Sequence, residues 1–452
     1  MPILSTLATF STRGYGGGSG VLVGLGWVAI GTDMNANTVE SPYAIAMNNS
    51  NQLIIPGYTQ ITDPIAGYVN AGVLTIMTNT ADSITTKLLE NPVTGHGCSL
   101  NSCAIDGLSN IFAVGYINKL VSGSSYHDAT LLVKYDSTGT LLWSKSIDDN
   151  VITDNFLGVD IDVSPLGNSY LCYRYFTSPI KVSYISKLNS SGTTLWTRSL
   201  SSGTSGTYDG PTTNIIDSSE NVYTVIYRNS DIVIIKTDTN GTNVWNRKYT
   251  DTGISENKPN LLSIYGTTLC LGFGTSVMTI NTSTGDIIFQ KTTSDVGGIV
   301  ATQLDSMGNI YCLTDVVGAS SYLYSYTSAG ELRFCNKFVG DRNTGVDYLD
   351  AKGMIYRDNE LYLTFNTYVD TCIMKVPSDG KIPGKGVYIV PITGSSPQVT
   401  YTINYTKVIP TITTPSITQS SISLTFGTTS LTNAAITTID ADSTVTWTTK
   451  TI

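Results

Sequence analysis

Stretches in which apolar and polar residues alternate recur between residues 45 and 390, and a polar turn follows each of them. The alternation has the two-residue period of a strand with one buried face. The turns are rich in Gly, Asn, Asp and Ser, which adopt positive φ or hydrogen-bond their own backbone. The pattern therefore predicts an all-β chain built from many short strands.

One motif combines a strand end, a Gly-containing turn and the start of the next strand. Its copies are KYDSTGTLLWSK from Lys134, KLNSSGTTLWTR from Lys187, KTDTNGTNVWNRK from Lys236, INTSTGDIIFQK from Ile280, YTSAGELRFCNK from Tyr326, KVPSDGKIPGK from Lys375 and an eroded TNTADSITTK from Thr78. The turn glycines are Gly139, Gly192, Gly241, Gly285, Gly330 and Gly380. They are 53, 49, 44, 45 and 50 residues apart, at or slightly above the ~40–50 residues of a propeller blade.

A large aromatic residue follows the turn in five copies of this motif: Trp143, Trp196, Trp245, Phe289 and Phe334. A recurring aromatic at the start of a strand fits a side chain that packs one repeat on the next. A ring of ligand-binding aromatics is the alternative. We interpret the five residues as structural blade aromatics.

A second motif precedes the first in each unit and combines a polar turn with an alternating strand that carries an aromatic. Its copies are DGLSNIFAVGY from Asp106, SPLGNSYLCY from Ser164, DSSENVYTVIY from Asp217, DSMGNIYCL from Asp305 and RDNELYLTF from Arg357, with looser members NNSNQLIIPGY from Asn48 and YGTTLCLGF from Tyr265. Seven units of about four strands predict a seven-bladed β-propeller over residues 41–390, and six or eight blades would also fit.

Together the two motifs read roughly D-x-x-G-N-x-Y-x-x-G and then K-x-D-x-x-G-x-x-x-W. This pattern resembles the β-propeller repeats of the SBBP type and is similar to pyrroloquinoline-quinone-type repeats, over about three quarters of the chain. The resemblance implies a propeller scaffold. It implies no activity, because such scaffolds carry unrelated functions.

The two ends of the chain lack the propeller motifs. Residues 1–40 form a predicted N-terminal arm that contains the glycine-rich run from Gly14 to Gly20. Residues 391–452 are rich in Ser and Thr, have only four charged residues and alternate as strands do. We predict a small β appendage there, or strands that pair with a neighbouring subunit.

Composition narrows the class of partner. Only 13% of residues are charged, the net charge is −9 and the isoelectric point is near 4.7, which argues against nucleic acid as a partner. The first residues lack the charged n-region of a secretory signal, and VLVGLGWVAIG from Val21 is too short to cross a bilayer. The odd number of cysteines, seven, suggests buried reduced thiols, although Cys98 and Cys103 are close enough to pair.

Candidate chemistry is sparse. The two histidines, His96 and His127, lie in no motif with a nucleophile and are too few for a typical zinc site. Calcium could use the clusters Asp148, Asp149 and Asp154, or Asp238, Asn240 and Asn243, but turn residues that bond their own backbone explain them as well. No acidic pair breaks the repeat symmetry as glycoside hydrolysis would require. We therefore predict no catalytic residue, no cofactor and no metal.

The low charge, the apolar start followed by a glycine-rich arm, and the Ser/Thr-rich end make the chain look like tail- or head-associated proteins of tailed bacteriophages. That resemblance implies a non-enzymatic structural protein of a virion, tail-associated by preference or else a capsid decoration protein. It would associate with other virion proteins, form homo-oligomers through its terminal arms and bind a host-surface glycan. A bacterial surface adhesin or carbohydrate-binding propeller is the alternative, and a polysaccharide-degrading enzyme is the third.

Overall fold

Strands joined by turns make up the part of the chain that the structure describes. This structure is a computed structural model. It describes residues 27–32, 40–81, 83–122, 125–148, 155–177, 180–201, 209–228, 231–250, 262–293, 297–316, 320–342, 349–366 and 371–381, together with eight short segments between residues 390 and 451. The described part contains no helix long and apolar enough to cross a membrane.

The described residues of the propeller form 29 strands. In chain order they are β1 (Trp27–Thr32), β2 (Glu40–Pro42), β3 (Ala46–Met47), β4 (Gln52–Asp63), β5 (Gly67–Thr78), β6 (Ile84–Glu90), β7 (Cys98–Ile105), β8 (Ile111–Ser122), β9 (Ser125–Tyr135), β10 (Leu141–Asp148), β11 (Asn155–Val163), β12 (Ser169–Thr177), β13 (Ile180–Leu188), β14 (Thr194–Ser201), β15 (Asp209–Ile216), β16 (Val222–Arg228), β17 (Asp231–Thr237), β18 (Asn243–Thr250), β19 (Leu262–Tyr265), β20 (Thr268–Phe273), β21 (Ser276–Asn281), β22 (Ile287–Thr293), β23 (Gly298–Leu304), β24 (Ile310–Val316), β25 (Ser320–Tyr326), β26 (Leu332–Arg342), β27 (Asp350–Arg357), β28 (Glu360–Asn366) and β29 (Thr371–Pro377).

These strands form seven antiparallel blades, which confirms the predicted seven-bladed propeller. Blade one pairs β2 and β3 with β4, followed by β5 and β6; blades two to six are β7–β10, β11–β14, β15–β18, β19–β22 and β23–β26; blade seven is β27, β28, β29 and β1. The first strands of neighbouring blades contact one another, as β11 does with β7 and β15. The first strands therefore line the centre of the ring, and the fourth strands form its rim.

The hydrophobic core is divided among the joints between blades. Seven clusters of buried apolar side chains are present, and each draws its members from two adjacent blades. One of them joins blade seven to blade one through Tyr362 and Ile373 against Leu53 and Ile55. Burial of apolar surface at these joints stabilises the ring, by about 25 cal/mol for each Å² removed from water.

Strand β1, from the predicted N-terminal arm, is the fourth strand of blade seven. It pairs with β29, and Trp27 lies opposite Lys375. In blades two to four the blade aromatics lie opposite a motif lysine in the same way, for example Trp143 opposite Lys134. The register thus makes Trp27 a further member of the aromatic series, and the N-terminal segment closes the ring.

The segment from Val390 onward, here called the tail, adds one strand to the rim of every blade and a second, outer one in blade six. Its strands are β30 (Val390–Pro391), β31 (Thr400–Lys407), β32 (Ile412–Thr413), β33 (Thr418–Ser420), β34 (Thr425–Thr428), β35 (Thr432–Ala435), β36 (Ile439–Asp442) and β37 (Thr446–Thr451). From β31 to β36 they pair in turn with the fourth strands of blades six, five, four, three, two and one, β37 pairs with β1, and β30 lies outside β31 in blade six. The tail therefore runs round the ring in the direction opposite to the blades, and it pairs with its own chain.

A seven-residue repeat underlies this arrangement. Residues 411–452 divide into TITTPSI, TQSSISL, TFGTTSL, TNAAITT, IDADSTV and TWTTKTI, with Ser or Thr at the sixth position of each unit. The tail residues opposite equivalent rim positions are also seven residues, or a multiple of seven, apart: Lys407 faces Asn336, Thr428 faces Arg198, Ala435 faces Lys145, Asp442 faces Lys87 and Thr449 faces Ala29. Seven extended residues span at most ~25 Å, so one unit corresponds to one step between blades.

Because successive strands of a blade are antiparallel, the two ends of the propeller differ. One end, here called the turn face, carries the tight turns between the first and second strands of each blade and, in blades one to six, those between the third and fourth strands. The other, here called the loop face, carries the connections between the second and third strands and from each blade to the next. Both recurring sequence motifs lie on the turn face.

Candidate functional site

The turn between the first and second strands is held by its own acidic residue in blades two, four and six. In blade six, Asp305 Oδ1 accepts hydrogen bonds from the backbone N of Met307 and of Asn309, both at 2.9 Å. Its Oδ2 accepts from Asn309 Nδ2 at 2.7 Å and from the Tyr311 hydroxyl at 3.0 Å. Asp106 and Asp217 make the equivalent backbone bonds in blades two and four. These carboxylates therefore stabilise turns.

The turn between the third and fourth strands is held by hydrogen bonds of the same kind. Asp238, from one of the candidate calcium clusters, accepts from the backbone N of Asn240 at 2.9 Å and of Thr242 at 2.8 Å. Of the other cluster, Asp149 and Asp154 lie outside the described residues. Within the described part of the chain, no three His, Cys, Asp or Glu side chains are grouped as metal ligands would be. The six predicted turn glycines all have positive φ, between 72° and 87°.

Each blade aromatic packs on the turn glycine of the next blade. A Cβ atom on Gly241 would lie 2.9 Å from the Trp196 ring, and one on Gly285 would lie 3.2 Å from the Trp245 ring. Gly192 meets Trp143, Gly330 meets Phe289 and Gly380 meets Phe334 in the same way. We call each pair an aromatic–glycine joint. The joint requires glycine for two reasons: the residue has positive φ, and the ring occupies the space that a Cβ atom would need.

Polar contacts reinforce the joints. In blade three Trp196 Nε1 donates to the Thr239 carbonyl at 3.0 Å, and Lys187 Nζ donates to the same oxygen at 3.3 Å. Lys187 also pairs with Glu220 at 3.0 Å. Burial alone would raise the pKa of Glu220, but hydrogen bonds from Tyr170 and Lys187 lower it to about 2. Glu220 is therefore ionised at neutral pH and links two blades.

The central strands contain a further structural carboxylate, Asp160. Its oxygens accept from the Ser102 hydroxyl at 2.5 Å and the Thr213 hydroxyl at 2.6 Å, which belong to the blades on either side. Burial raises the pKa of Asp160. The group therefore connects three blades. All seven cysteines are likewise buried, and none forms a disulfide.

The loop face is different in blades one and two. Their second and third strands have 11 or 12 residues, whereas those of blades three to seven have 6 to 9. At about 3.3 Å per residue the longer hairpins extend roughly 7–20 Å further. Four large apolar or aromatic residues on these two hairpins are exposed: Ile65 (77%), Tyr68 (56%), Leu120 (42%) and Tyr126 (55%). These four residues and His96 make up what we call the hairpin surface.

The connection between blades one and two holds the two long hairpins together. Gly95 N donates to Asp63 Oδ2 at 2.7 Å, on the first hairpin. The His96 ring lies edge-on to Tyr126 of the second hairpin, with centroids 4.9 Å apart. Gly97 N donates to Asn118 Oδ1 at 2.7 Å, also on the second hairpin. The exposed side chains are therefore presented on an ordered support.

Charge at this surface is low and locally compensated. Hydrogen bonds from the backbone of Ala66, Gly95 and Ile65 lower the pKa of Asp63. Burial raises the pKa of Asp128, whose Oδ1 accepts from Asn118 Nδ2 at 2.5 Å. Exposed rings and aliphatic side chains beside amides and hydroxyls suit a neutral, hydroxyl-rich ligand.

His127 follows Tyr126 in β9, but its side chain is buried. Its Nε2 is 3.7 Å from Asp148 Oδ2, which also accepts from Lys119 Nζ at 3.0 Å. Among the described residues His127 has no hydrogen-bond partner at either ring nitrogen. The two candidate histidines therefore do not form one site. His96 lies on the hairpin surface, and the His127 side chain lies inside blade two.

Comparison with known proteins adds no functional assignment. The chain matches no protein-family model and no functionally curated protein. Among solved structures it is similar to a protein of unknown function from Bacteroides caccae, at 12% identity and a TM-score of 0.39, over 68% of this chain and 92% of that one. It is also similar to a protein from Lactobacillus plantarum, at 10% identity and a TM-score of 0.40, over 76% of this chain and 92% of that one.

Sequence reasoning missed the hairpin surface, although one signal was present. The stretch IFAVGYINKLVS from Ile111 runs for 12 residues without a proline or a cluster of turn residues, twice the usual ~5–6 of a strand. Such an excess predicts hairpins that project beyond the other blades. The exposure of Ile65 and Leu120 could not be predicted, because strand periodicity alone does not tell which end of a hairpin projects.

Proposed function

We propose that this chain is a non-enzymatic recognition protein of a bacteriophage virion, tail-associated, which binds a host-surface glycan through the hairpin surface. The observation that carries the proposal is the exposure of Ile65, Tyr68, Leu120 and Tyr126 on two hairpins that project from one face of a rigid ring. Exposed aromatic side chains that contact one another or a fixed support bind sugar rings by stacking. A fixed support also lowers the entropic cost of binding.

The chemistry of the surface favours binding over turnover. Asp63, at the tip of the first hairpin, accepts hydrogen bonds from the backbone N of Ile65 at 2.8 Å, of Ala66 at 2.7 Å and of Gly95 at 2.7 Å. His96 is fixed through Nδ1 to the Thr94 carbonyl at 2.9 Å. The low charge of the chain and its strand-rich ends support a virion setting, in which a rigid disc is attached to other structural proteins.

The first test is the binding of the purified protein to the surface polysaccharide of the host, measured by calorimetry. We expect Tyr126→Ala and Tyr68→Ala each to weaken binding about two- to ten-fold, since an aromatic contact contributes about 0.5–1.5 kcal/mol. The matched control is Leu166→Ser, because Leu166 is 80% exposed on the turn face. Equal losses in the control and in the hairpin variants would contradict the proposal, as would full binding by the double variant.

The assignment to a virion is tested by mass spectrometry of the native particle. A fixed stoichiometry with tail proteins would support the tail-associated assignment, and a fixed stoichiometry with capsid proteins would indicate a decoration protein. Recovery of the protein from a bacterial cell-surface fraction, without any particle, would favour the adhesin alternative.

A further inference from the structure

The tail occupies a surface that any chain of the right period could occupy. It contacts the propeller as a fifth strand on the rim of each blade. Backbone hydrogen bonds dominate such edge pairing, so the affinity depends on register more than on side chains. The seven rim edges are therefore equivalent docking sites whose spacing matches the seven-residue unit.

The tail can leave this surface without opening the ring. No tail strand lies between two propeller strands: β31 to β37 are all added outside the fourth strand of a blade. Strand β1, in contrast, lies between β29 and β37. Removal of the tail therefore leaves every blade with its four strands.

The connection to the tail is long. The last described residue of blade seven is Lys381, and β31 begins at Thr400. The eighteen residues between them include β30, which pairs with β31. With β30 released they span up to ~60 Å, far more than one step between blades. By contrast, only four residues separate β33 from β34, and three separate β34 from β35. The chain is thus long enough before its first docking strand to reach a neighbouring propeller.

We propose that the blade rims form one continuous strand-docking surface, and that two copies of this chain exchange their tails across it. Each tail strand would pair with the same rim strand, and in the same register, as it does in its own chain, but in the partner's propeller. Reciprocal exchange of an identical element gives a closed two-fold dimer and needs no new contact type. This surface is separate from the hairpin surface, so the inference does not depend on what the hairpins bind.

Two differently tagged full-length copies, expressed together, test the exchange. One carries Lys145→Cys and the other Ala435→Cys, because these residues face each other between β10 and β35. Side chains at facing positions have Cβ atoms about 5 Å apart, within reach of a short bis-maleimide. The native cysteines are buried, which keeps the background reaction low.

The expected result is a crosslinked dimer that carries both tags. The phase control replaces Ala435→Cys by Thr428→Cys, because Thr428 faces Arg198 on the next blade. We expect the in-phase pair to give at least about ten times more dimer than the control, as reciprocal exchange of an identical element requires.

A single chain with both Lys145→Cys and Ala435→Cys reports the internal register. If this chain crosslinks internally while the mixed copies give no dimer, the tail is a permanent strap and the exchange proposal is overturned. If it does not crosslink in either way, the docking register itself is wrong. Equal dimer yields from the in-phase pair and from the Thr428 control would also overturn the proposal, because the contact would then be non-specific.

Discussion

The turn face and the loop face of this propeller are built from the same strands but under different constraints. On the turn face the recurring turn glycines and blade aromatics have partners between blades, as Trp245 has in Gly285 and Thr282. Recurring apolar residues beside them, such as Leu195 and Val244, are exposed. On the loop face the long hairpins of blades one and two expose Tyr68 and Tyr126. Repetition thus marks the residues that hold the ring together, and departure from repetition marks the candidate site.

The largest loss of stability should come from removal of the aromatic side chain at an aromatic–glycine joint. Trp245 is 7% exposed, its ring packs on Gly285, and its Nε1 donates to the Thr282 carbonyl at 3.1 Å. Trp245→Ala should lower the free energy of unfolding in urea by about 3–5 kcal/mol, since the variant leaves a cavity. It also removes one hydrogen bond to the Thr282 carbonyl, which still accepts from Lys236 Nζ at 3.1 Å.

The neighbouring residue Val244 provides a matched control. It is the extra residue of a β-bulge between Asn243 and Trp245, and it is about half exposed. Val244→Ala should change the free energy of unfolding by less than about 0.5 kcal/mol. A loss below about 1 kcal/mol for Trp245→Ala would mean that the ring does not fill the joint.

A smaller effect is expected from the glycine side of a joint. Gly330 has a φ of 87°, and a Cβ there would overlap the Phe289 ring. Gly330→Ala should therefore cost about 2–4 kcal/mol of unfolding free energy, from left-handed strain and from overpacking.

Gly266 separates these two causes. Its φ is 59°, but no atom lies within 4 Å of the position of a Cβ. Gly266→Ala should cost only the strain, about 1–2 kcal/mol. If both glycine variants lose the same amount, the packing of Phe289 on the turn contributes nothing, and the joint is not the unit that holds neighbouring blades together.

The regular part of the molecule could be predicted from the sequence because local chemistry repeats with the fold. The turn at Asp305 and the glycine at Gly330 have the same role in each copy, so their spacing alone predicts blades. Trp27 was missed because it is separated from its motif partner Lys375 by almost the whole propeller. Pairing between residues so far apart leaves no local signal.

The tail shows a different limit. Its seven-residue period is visible in units such as TFGTTSL from Thr425. Alternation predicted its strands, but a strand pattern does not identify the edge with which it pairs. Only the rim positions, such as Lys145 opposite Ala435, show that the period equals the step between blades. The hairpin surface is not periodic at all, so sequence repetition could not reveal it.

The smallest effect on stability should come from the loop face. Tyr126 is 55% exposed, and its described ring contact is the edge-on one with His96. Tyr126→Ala should change the urea midpoint by the equivalent of no more than about 0.5–1 kcal/mol, because little area and one aromatic contact are lost. The same variant should lose glycan binding. A stability loss above about 2 kcal/mol would instead make Tyr126 part of the support of blade two, and the contrast between a structural face and a recognition face would no longer hold.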